Sequence, residues 1–280
     1  MQGLSGLGIQ SVCNEYQIHG DRIVAKYKLS ALEDPLRPED VWWFYSPLRD
    51  APDLFLTFAR LYKEKSFERA ALAFSHKYGL PNNMVEVVEG QEKTYPFAEE
   101  IEISEFWDEA EKAHRILAIY EAVINRDAET VKQSLLGRYT VDKAFEIEHE
   151  TLSLVEKLQG PNGILHASLD YVVEAVQDVV QRTCRQRIRA VPQNRTKPPD
   201  LSNIETVWDF DSLYGAMYLE MWWLIVSGNN IGRCEFCDSP ISLGRSRPDA
   251  RKRRHDRRFC DDACRQAHHR SKKRSVDSSS

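Results

Sequence analysis

Cys234 and Cys237 are separated by two residues, Cys260 and Cys264 by three, and twenty-two residues lie between the pairs. Sulfurs this close in sequence can face one ion, and two such pairs complete a tetrahedral shell of thiolates, the pattern of structural Zn²⁺. Four protein ligands leave no coordination position for a substrate water, so such a metal shapes the chain and does not catalyse. Arg233-Cys234-Glu235-Phe236-Cys237-Asp238 reads as a zinc knuckle, whose backbone amides support the sulfurs. Cys260 is expected just before a helix with Cys264 one turn inside it, where residues four apart share a face and the first N–H groups favour anionic sulfur. Phe259 would be a small apolar plug, and Ile241 and Leu243 would belong to an intervening hairpin. The combination describes a treble-clef-like finger, too small to hold together without its metal. His255, His268 and His269 could replace a cysteine, but four thiolates make them unnecessary, and a wet, basic surface suits them better. Disulfides or free thiols are the alternative states of the same four residues.

The charge around the cysteines points to what such a finger would present. The chain carries a formal net charge of -5 over 280 residues, but residues 228–280 hold fourteen Lys/Arg against seven Asp/Glu, a formal +7, and residues 1–227 carry -12. A Zn²⁺ with four thiolates contributes -2 at formal charge, leaving the finger at about +5. A positive end on an acidic body steers a polyanion. Arg251, Lys252, Arg253, Arg254, Arg257 and Arg258 stand between the cysteine pairs, and Arg265, Gln266, His269, Lys272 and Lys273 follow on the expected helix. That helix could lie along phosphates or enter a major groove, with Arg265, Gln266 and His269 as base readers if it points inward. A solvated basic tail contacting the acidic body, or another acidic protein, is the competing reading.

The elements that must carry this module read as mainly α with a small α+β N-terminal part. Residues 1–100 form a mixed region: a strand at Ile23–Leu29, helices at Asp53–Lys63 (Leu54, Phe58 and Leu61 inward) and Ser66–Tyr78 (Phe67, Ala71 and Phe74 inward), and a strand at Met84–Val88. Trp42, Trp43, Phe44 and Tyr45 read as a packed aromatic corner or a binding pocket. Residues 104–228 form a helical body. Ser104 caps a helix to Asn125, with Trp107, Ala110, His114, Leu117 and Glu121 on one side; a short helix follows over Ala128–Leu136. Thr140–Leu158 is helical and stops at Gly160-Pro161-Asn162-Gly163. Leu165, Leu169, Val172, Val176, Val179 and Val180 mark a helix expected to run to Ile188, before a Pro/Lys-rich crossing at 192–199. A last helix, from Asp209 or Phe210 to Val226, carries aromatics on nearly every turn and should be buried in the body or in a dimer interface. The finger then occupies 229–274 and a frayed tail 275–280.

The last quarter resembles the bacterial CGNR-type zinc-finger proteins. The resemblance rests on Leu213-Tyr214-Gly215-Ala216-Met217-Tyr218-Leu219, on Gly232-Arg233-Cys234, and on Arg258-Phe259-Cys260 with Cys264. The stretch that names that family is Cys264-Arg265-Gln266-Ala267 here, and Phe259-Cys260-Asp261-Asp262-Ala263-Cys264 is also similar to a wider class of small microbial treble-clef fingers. The resemblance implies a zinc role for Cys234, Cys237, Cys260 and Cys264, and a DNA-binding regulator of transcription in a stress setting.

A cytoplasmic regulator bound to double-stranded DNA, dimeric through its helical body, is therefore the leading expectation. An interaction adaptor whose finger docks on an acidic protein is the second. An enzyme is not expected. Glu148-His149-Glu150 lacks a second metal histidine at recognised spacing, His19, His76, His114 and His166 form no triad, and there is no Walker or Rossmann glycine motif. Nor is a membrane partner expected: the N-terminus lacks a signal-peptide pattern, and the apolar stretch Leu213–Val226 is too short to span a bilayer.

Overall fold

The computed structural model describes residues 10–13, 15–26, 42–51, 53–82, 100–131, 149–190, 204–228, 231–238, 240–243, 257–260 and 262–277. The fold is mainly helical, with a small N-terminal β element and a C-terminal cysteine cluster. Two compact units divide the chain, Met1–Trp222 and Trp223–Ser280.

In the first unit, β1 (Gln10–Cys13) pairs antiparallel with β4 (Trp42–Tyr45). The strands β2 (Tyr16–His19), β3 (Arg22–Ala25) and β5 (Glu100–Glu102) form a second antiparallel sheet with β3 in the middle. Ile23, Val24 and Ala25 on β3 are all buried. The strand is thus covered on both faces, which explains its continuous apolar run. Trp42, Trp43, Phe44 and Tyr45 are the whole of β4. Tyr45 is buried and donates its hydroxyl to the Tyr78 carbonyl at 2.9 Å, closing the strand against a helix end. Burial, with Tyr78, Tyr16 and Asp50 adding to it, pushes the Tyr45 phenol far above its ordinary range. The Met84–Val88 strand expectation lies outside the described residues.

After the one-turn α1 (Pro47–Asp50), the helices α2 (Leu54–Leu61) and α3 (Phe67–Tyr78) place Leu54, Phe58, Leu61, Phe67, Ala71 and Phe74 inward. The apolar spacing was sufficient because each stripe has the helical period. Phe58 sits at the centre of a ring cluster, with centroids 5.4 Å from Phe74, 5.6 Å from Phe106 and 5.9 Å from Tyr214.

The long α4 (Ile103–Ile124) follows β5 without a break, and Ser104 is not its cap. The entry is set instead by the Ile103 N–H, which donates to Asp21 O at 2.8 Å in the β2–β3 turn. Its core line is Phe106, Ala110, Ala113, Leu117 and Tyr120. The expected side is rotated from this: Trp107 and His114 lie at its edge against Tyr62, with centroids 4.9 and 5.3 Å away. A second helical stretch begins at 128, as expected, with Asp127 as its cap: Oδ1 accepts the Thr130 N–H at 3.0 Å and Oδ2 the Thr130 hydroxyl at 2.6 Å. Those bonds hold the Asp127 carboxyl below its usual range.

The helical span α5 (His149–Thr183) is two helices meeting at a kink, and the first ends at Gly160 as expected. Gly160 has φ 66° and ψ -164°, which only glycine adopts readily, and Pro161 restarts the helix at the next residue. Val172, Val176, Val179 and Val180 face the core as expected, while at the upper end Ile164 and Ser168 take the buried positions. Ser168 is satisfied there by donating to Ile164 O at 2.6 Å.

The structure corrects the expectation that this helix reaches Ile188 and that the next begins at Asp209 or Phe210. Both segments are strands: β6 (Cys184–Ala190) pairs antiparallel with β7 (Ile204–Phe210) in one continuous register. Arg185, Arg187 and Arg189 alternate along β6, and the register sets Arg185 opposite Asp209 and Arg189 opposite Glu205. Pairing between two segments distant in sequence, and not the periodicity within either, decides for strands over a helix. The Pro/Lys-rich stretch at 192–199 lies in the connection between the two paired strands, outside the described residues.

The helix α6 (Leu213–Val226) starts only after β7. Leu213, Ala216, Met217, Tyr218, Leu219 and Met221 are almost wholly buried, as an all-round apolar helix requires. Gly215 permits close approach: a Cβ there would stand 2.9 Å from Thr183 Oγ1 and 3.0 Å from Phe210 Cβ. Beside it Cys184 donates its thiol to Gly215 O at 3.4 Å. Burial pushes that thiol up to about 11, with the Thr183 hydroxyl opposing and Asp211 adding to the rise. At pH 8 the thiolate is then only about one part in a thousand. Iodoacetamide is expected to modify Cys184 at least about 100-fold more slowly in the native protein than in the unfolded chain. Peptide mapping of the alkylated protein measures the ratio, and equal rates would contradict the buried position.

Candidate metal centre

The second unit is built on a hairpin and a helix. β8 (Ile231–Arg233) pairs antiparallel with β9 (Pro240–Ser242), and Cys234 and Cys237 lie in the connection between them. The described hairpin therefore encloses the first cysteine pair, with Ile241 buried on β9 opposite Gly232. The turn closes through the Asp238 N–H, donated to Cys234 O at 2.9 Å, with Asp238 at φ 57°. Cys260 stands just before α7 (Asp262–Asp277), and Cys264 is in its first turn, as their spacing predicts. The helix continues through Ser275, Val276 and Asp277, past the expected end at 274.

All four sulfurs lie within 4.8 Å of one another, the one such gathering of metal-ligating side chains among the described residues. Cys237 Sγ is 3.7 Å from Cys260 Sγ, and Cys260 Sγ is 3.3 Å from Cys264 Sγ. A metal–sulfur bond of about 2.3 Å implies a tetrahedral edge of about 3.8 Å, whereas a disulfide needs about 2.05 Å. The spacing suits a shared ion, and the cysteines are free thiols. Cys234 is buried, and the other three are partly shielded.

The electrostatics divide the four. Burial pushes the Cys234 thiol up, but N–H groups of Cys237, Phe236 and Cys260, together with the Cys237 side chain, more than reverse it and leave the thiol at about 6. Cys260 moves the other way: burial raises it, and hydrogen bonds to the neighbouring sulfurs of Cys264, Cys237 and Cys234 raise it further. One thiol is thus prepared as an anion while its neighbour retains the proton that separates the sulfurs. A divalent cation releases that proton and carries the charge of all four.

Two further contacts brace the knuckle against the second pair. The Glu235 N–H donates to Arg258 O at 2.9 Å, and the Arg258 guanidinium grips the Glu235 carboxylate through Nε and Nη2. Arg257 turns inward, donating Nε to Phe259 O at 3.0 Å and Nη2 to Cys260 O. Phe259 packs on α7, its centroid 5.2 Å from His268 and 6.5 Å from His269, consistent with a small plug. Neither histidine joins the sulfur cluster.

Among the basic candidates, Arg257 and Arg258 hold the scaffold as just described. Arg265 is exposed and pairs with Asp262 at 3.0 Å. Gln266 and His269 are exposed on α7, which also carries Lys272 and Lys273. Arg251, Lys252, Arg253 and Arg254 lie outside the described residues. The bracing role of Glu235 was not read from the sequence; its only signal was a lone acid between two ligands in a basic segment. No described helix is long and apolar enough to cross a membrane. No family model, curated protein or solved structure matches the chain, so what the site displays is a general four-cysteine metal-binding arrangement.

Proposed function

We propose that the protein binds nucleic acid through a zinc-closed basic finger, with DNA as its polymer and control of transcription as its setting. The observation that carries this reading is the sulfur cluster from which the basic helix α7 extends. An all-thiolate set at tetrahedral spacing suits Zn²⁺ over harder cations, and four ligands close the shell. A treble-clef-like arrangement of knuckle and helix, and the CGNR-type resemblance, accord with this role. Fourteen Lys/Arg in residues 228–280 supply phosphate attraction, although Arg257 and Arg258 support the scaffold and Arg265 faces Asp262. Among the residues left for phosphate are Arg251, Lys252, Arg253 and Arg254, with Arg270, Lys272 and Lys273 on the helix.

Charge reversal tests it. Lys252→Glu with Arg254→Glu, combined with Arg270→Glu and Lys273→Glu, spares every residue that braces the cluster. Binding of the zinc-loaded full chain to a duplex DNA is expected to weaken at least about tenfold at 0.15 M salt, and each lost phosphate contact lowers the log–log salt slope by about 0.9. Unchanged affinity and slope would remove the assignment. A stable complex with an acidic protein that survives nuclease treatment would favour the adaptor reading instead.

A further inference from the structure

Phe236 is half-exposed, at 47 % of its surface, in the turn between two metal-ligating cysteines. The packing of the finger does not account for it: the described interior over 231–277 consists of Cys234, Ile241 and Ser242, and the ring packed on α7 is Phe259. Its backbone N–H, by contrast, is used: it supports the Cys234 sulfur. The turn is held on both sides, by the cluster and by the Glu235–Arg258 contacts. A ring on so fixed a turn presents its face with little ordering cost on binding.

The surroundings decide what that face meets. Glu235 beside it would repel a phosphate, but Arg258 neutralises the carboxylate through two guanidinium nitrogens. Residues 228–280, about +5 once Zn²⁺ and four thiolates are counted, then draw a polyanion to the same unit. A paired duplex keeps its base faces inside the stack, whereas an unpaired base offers a flat apolar surface that an aromatic side chain can cover. We propose that Phe236 is a stacking platform for an unpaired nucleobase, so that the finger prefers DNA with single-stranded nucleotides over a fully paired duplex. This inference rests on the nucleic-acid reading above and names the form of the polymer.

The test compares the zinc-loaded full chain with Phe236→Ala, Phe236→Leu and Phe236→Trp. Each is titrated by fluorescence anisotropy against a labelled single-stranded DNA oligonucleotide and against the matching blunt duplex, with zinc content measured for every variant. The native protein is expected to bind the single strand more tightly. Phe236→Ala and Phe236→Leu should each lose about tenfold or more on the single strand and less than about twofold on the duplex, while Phe236→Trp retains affinity. Leucine keeps the bulk without the aromatic face, so equal losses in the two variants separate stacking from apolar bulk, and unchanged zinc content and duplex affinity exclude misfolding. Full single-strand affinity in Phe236→Ala or Phe236→Leu, at unchanged zinc content, overturns the stacking role and leaves the nucleic-acid reading standing. A native preference for the duplex overturns it too. Failure of the native protein to bind either polymer removes both.

Discussion

Cys260→Ser is expected to reduce bound zinc from one equivalent per chain to none and to release the helical signal of α7's sixteen residues. A strong chelator applied to the native protein should reproduce both effects. The magnitude follows from how little else holds the finger. Among the described residues of 231–277 the buried apolar side chains are Cys234 and Ile241, worth about 3 kcal/mol each at most. A structural zinc contributes apparent binding free energies of about 10–16 kcal/mol. Ion pairs do not close that gap: Arg258–Glu235 and Arg265–Asp262 are largely exposed and contribute little individually. Without a metal, nothing bonds the four sulfurs that lie within 4.8 Å of one another, and the link between hairpin and helix is lost. Metal analysis, circular dichroism and limited proteolysis of the 231–277 region check the result, with Cys184→Ser as the control that should retain its zinc. A purified reduced protein with no stoichiometric metal, and a helix indifferent to chelation, would remove the structural basis of the site.

Glu220→Ala should be strongly destabilising although it removes no apolar packing. Glu220 is 5 % exposed on an otherwise apolar face of α6 and accepts the backbone N–H of Asp53 at 2.6 Å and of Phe55 at 3.0 Å. Those are donors at the start of α2, whose own cap residue, Asp53, has φ 65° and makes no side-chain capping bond. A carboxylate from another helix thus performs the capping and sits at the positive end of the helix dipole. Removing it orphans two buried donors at about 1–3 kcal/mol each, so a total near 3 kcal/mol is expected. For a unit of this size that lowers the melting temperature by about 8 °C. Glu220→Gln retains one acceptor but turns an N–H₂ toward a donor, and should recover only part of the loss. Exposed Glu68 on α3 is the comparison, where alanine should change stability by less than about 0.5 kcal/mol. Calorimetry of the three variants measures the order; a Glu220→Ala protein as stable as the native one would contradict the capping geometry.

How far the sequence could be read depends on the range of the interaction. The sulfur cluster was legible because ligand spacing is a local property. So were the inward faces of α2 and α3, where Leu54, Phe58 and Leu61, and Phe67, Ala71 and Phe74, carry their periodicity within a few turns. The β6–β7 ribbon was not. Val172 to Val180 set a helical rhythm that extends naturally to Ile188, and the competing alternation of Arg185, Arg187 and Arg189 gains meaning only beside Asp209 and Glu205 across the Pro-rich connection. On α4 the spacing located a helix but not its rotation, since Trp107 and His114 fit the same period as Phe106 and Ala113. Glu220 was visible as one acid among aromatics, with nothing nearby to announce partners at Asp53 and Phe55. In the finger, arginine number suggested phosphate contacts, while geometry diverts Arg257 and Arg258 to carbonyls and a carboxylate.

The reach of Glu220 also bears on how the polypeptide matures as it leaves the ribosome. The two bonds that finish the start of α2 span 167 and 165 positions, so at about 5–20 residues per second the nascent helix waits on the order of ten seconds or more for its distant acid. During that interval Phe55 and Phe58 are already synthesised, and their late ring partners Tyr218 and Tyr214 are not. The early chain is therefore the stage at which a chaperone would find the most to hold.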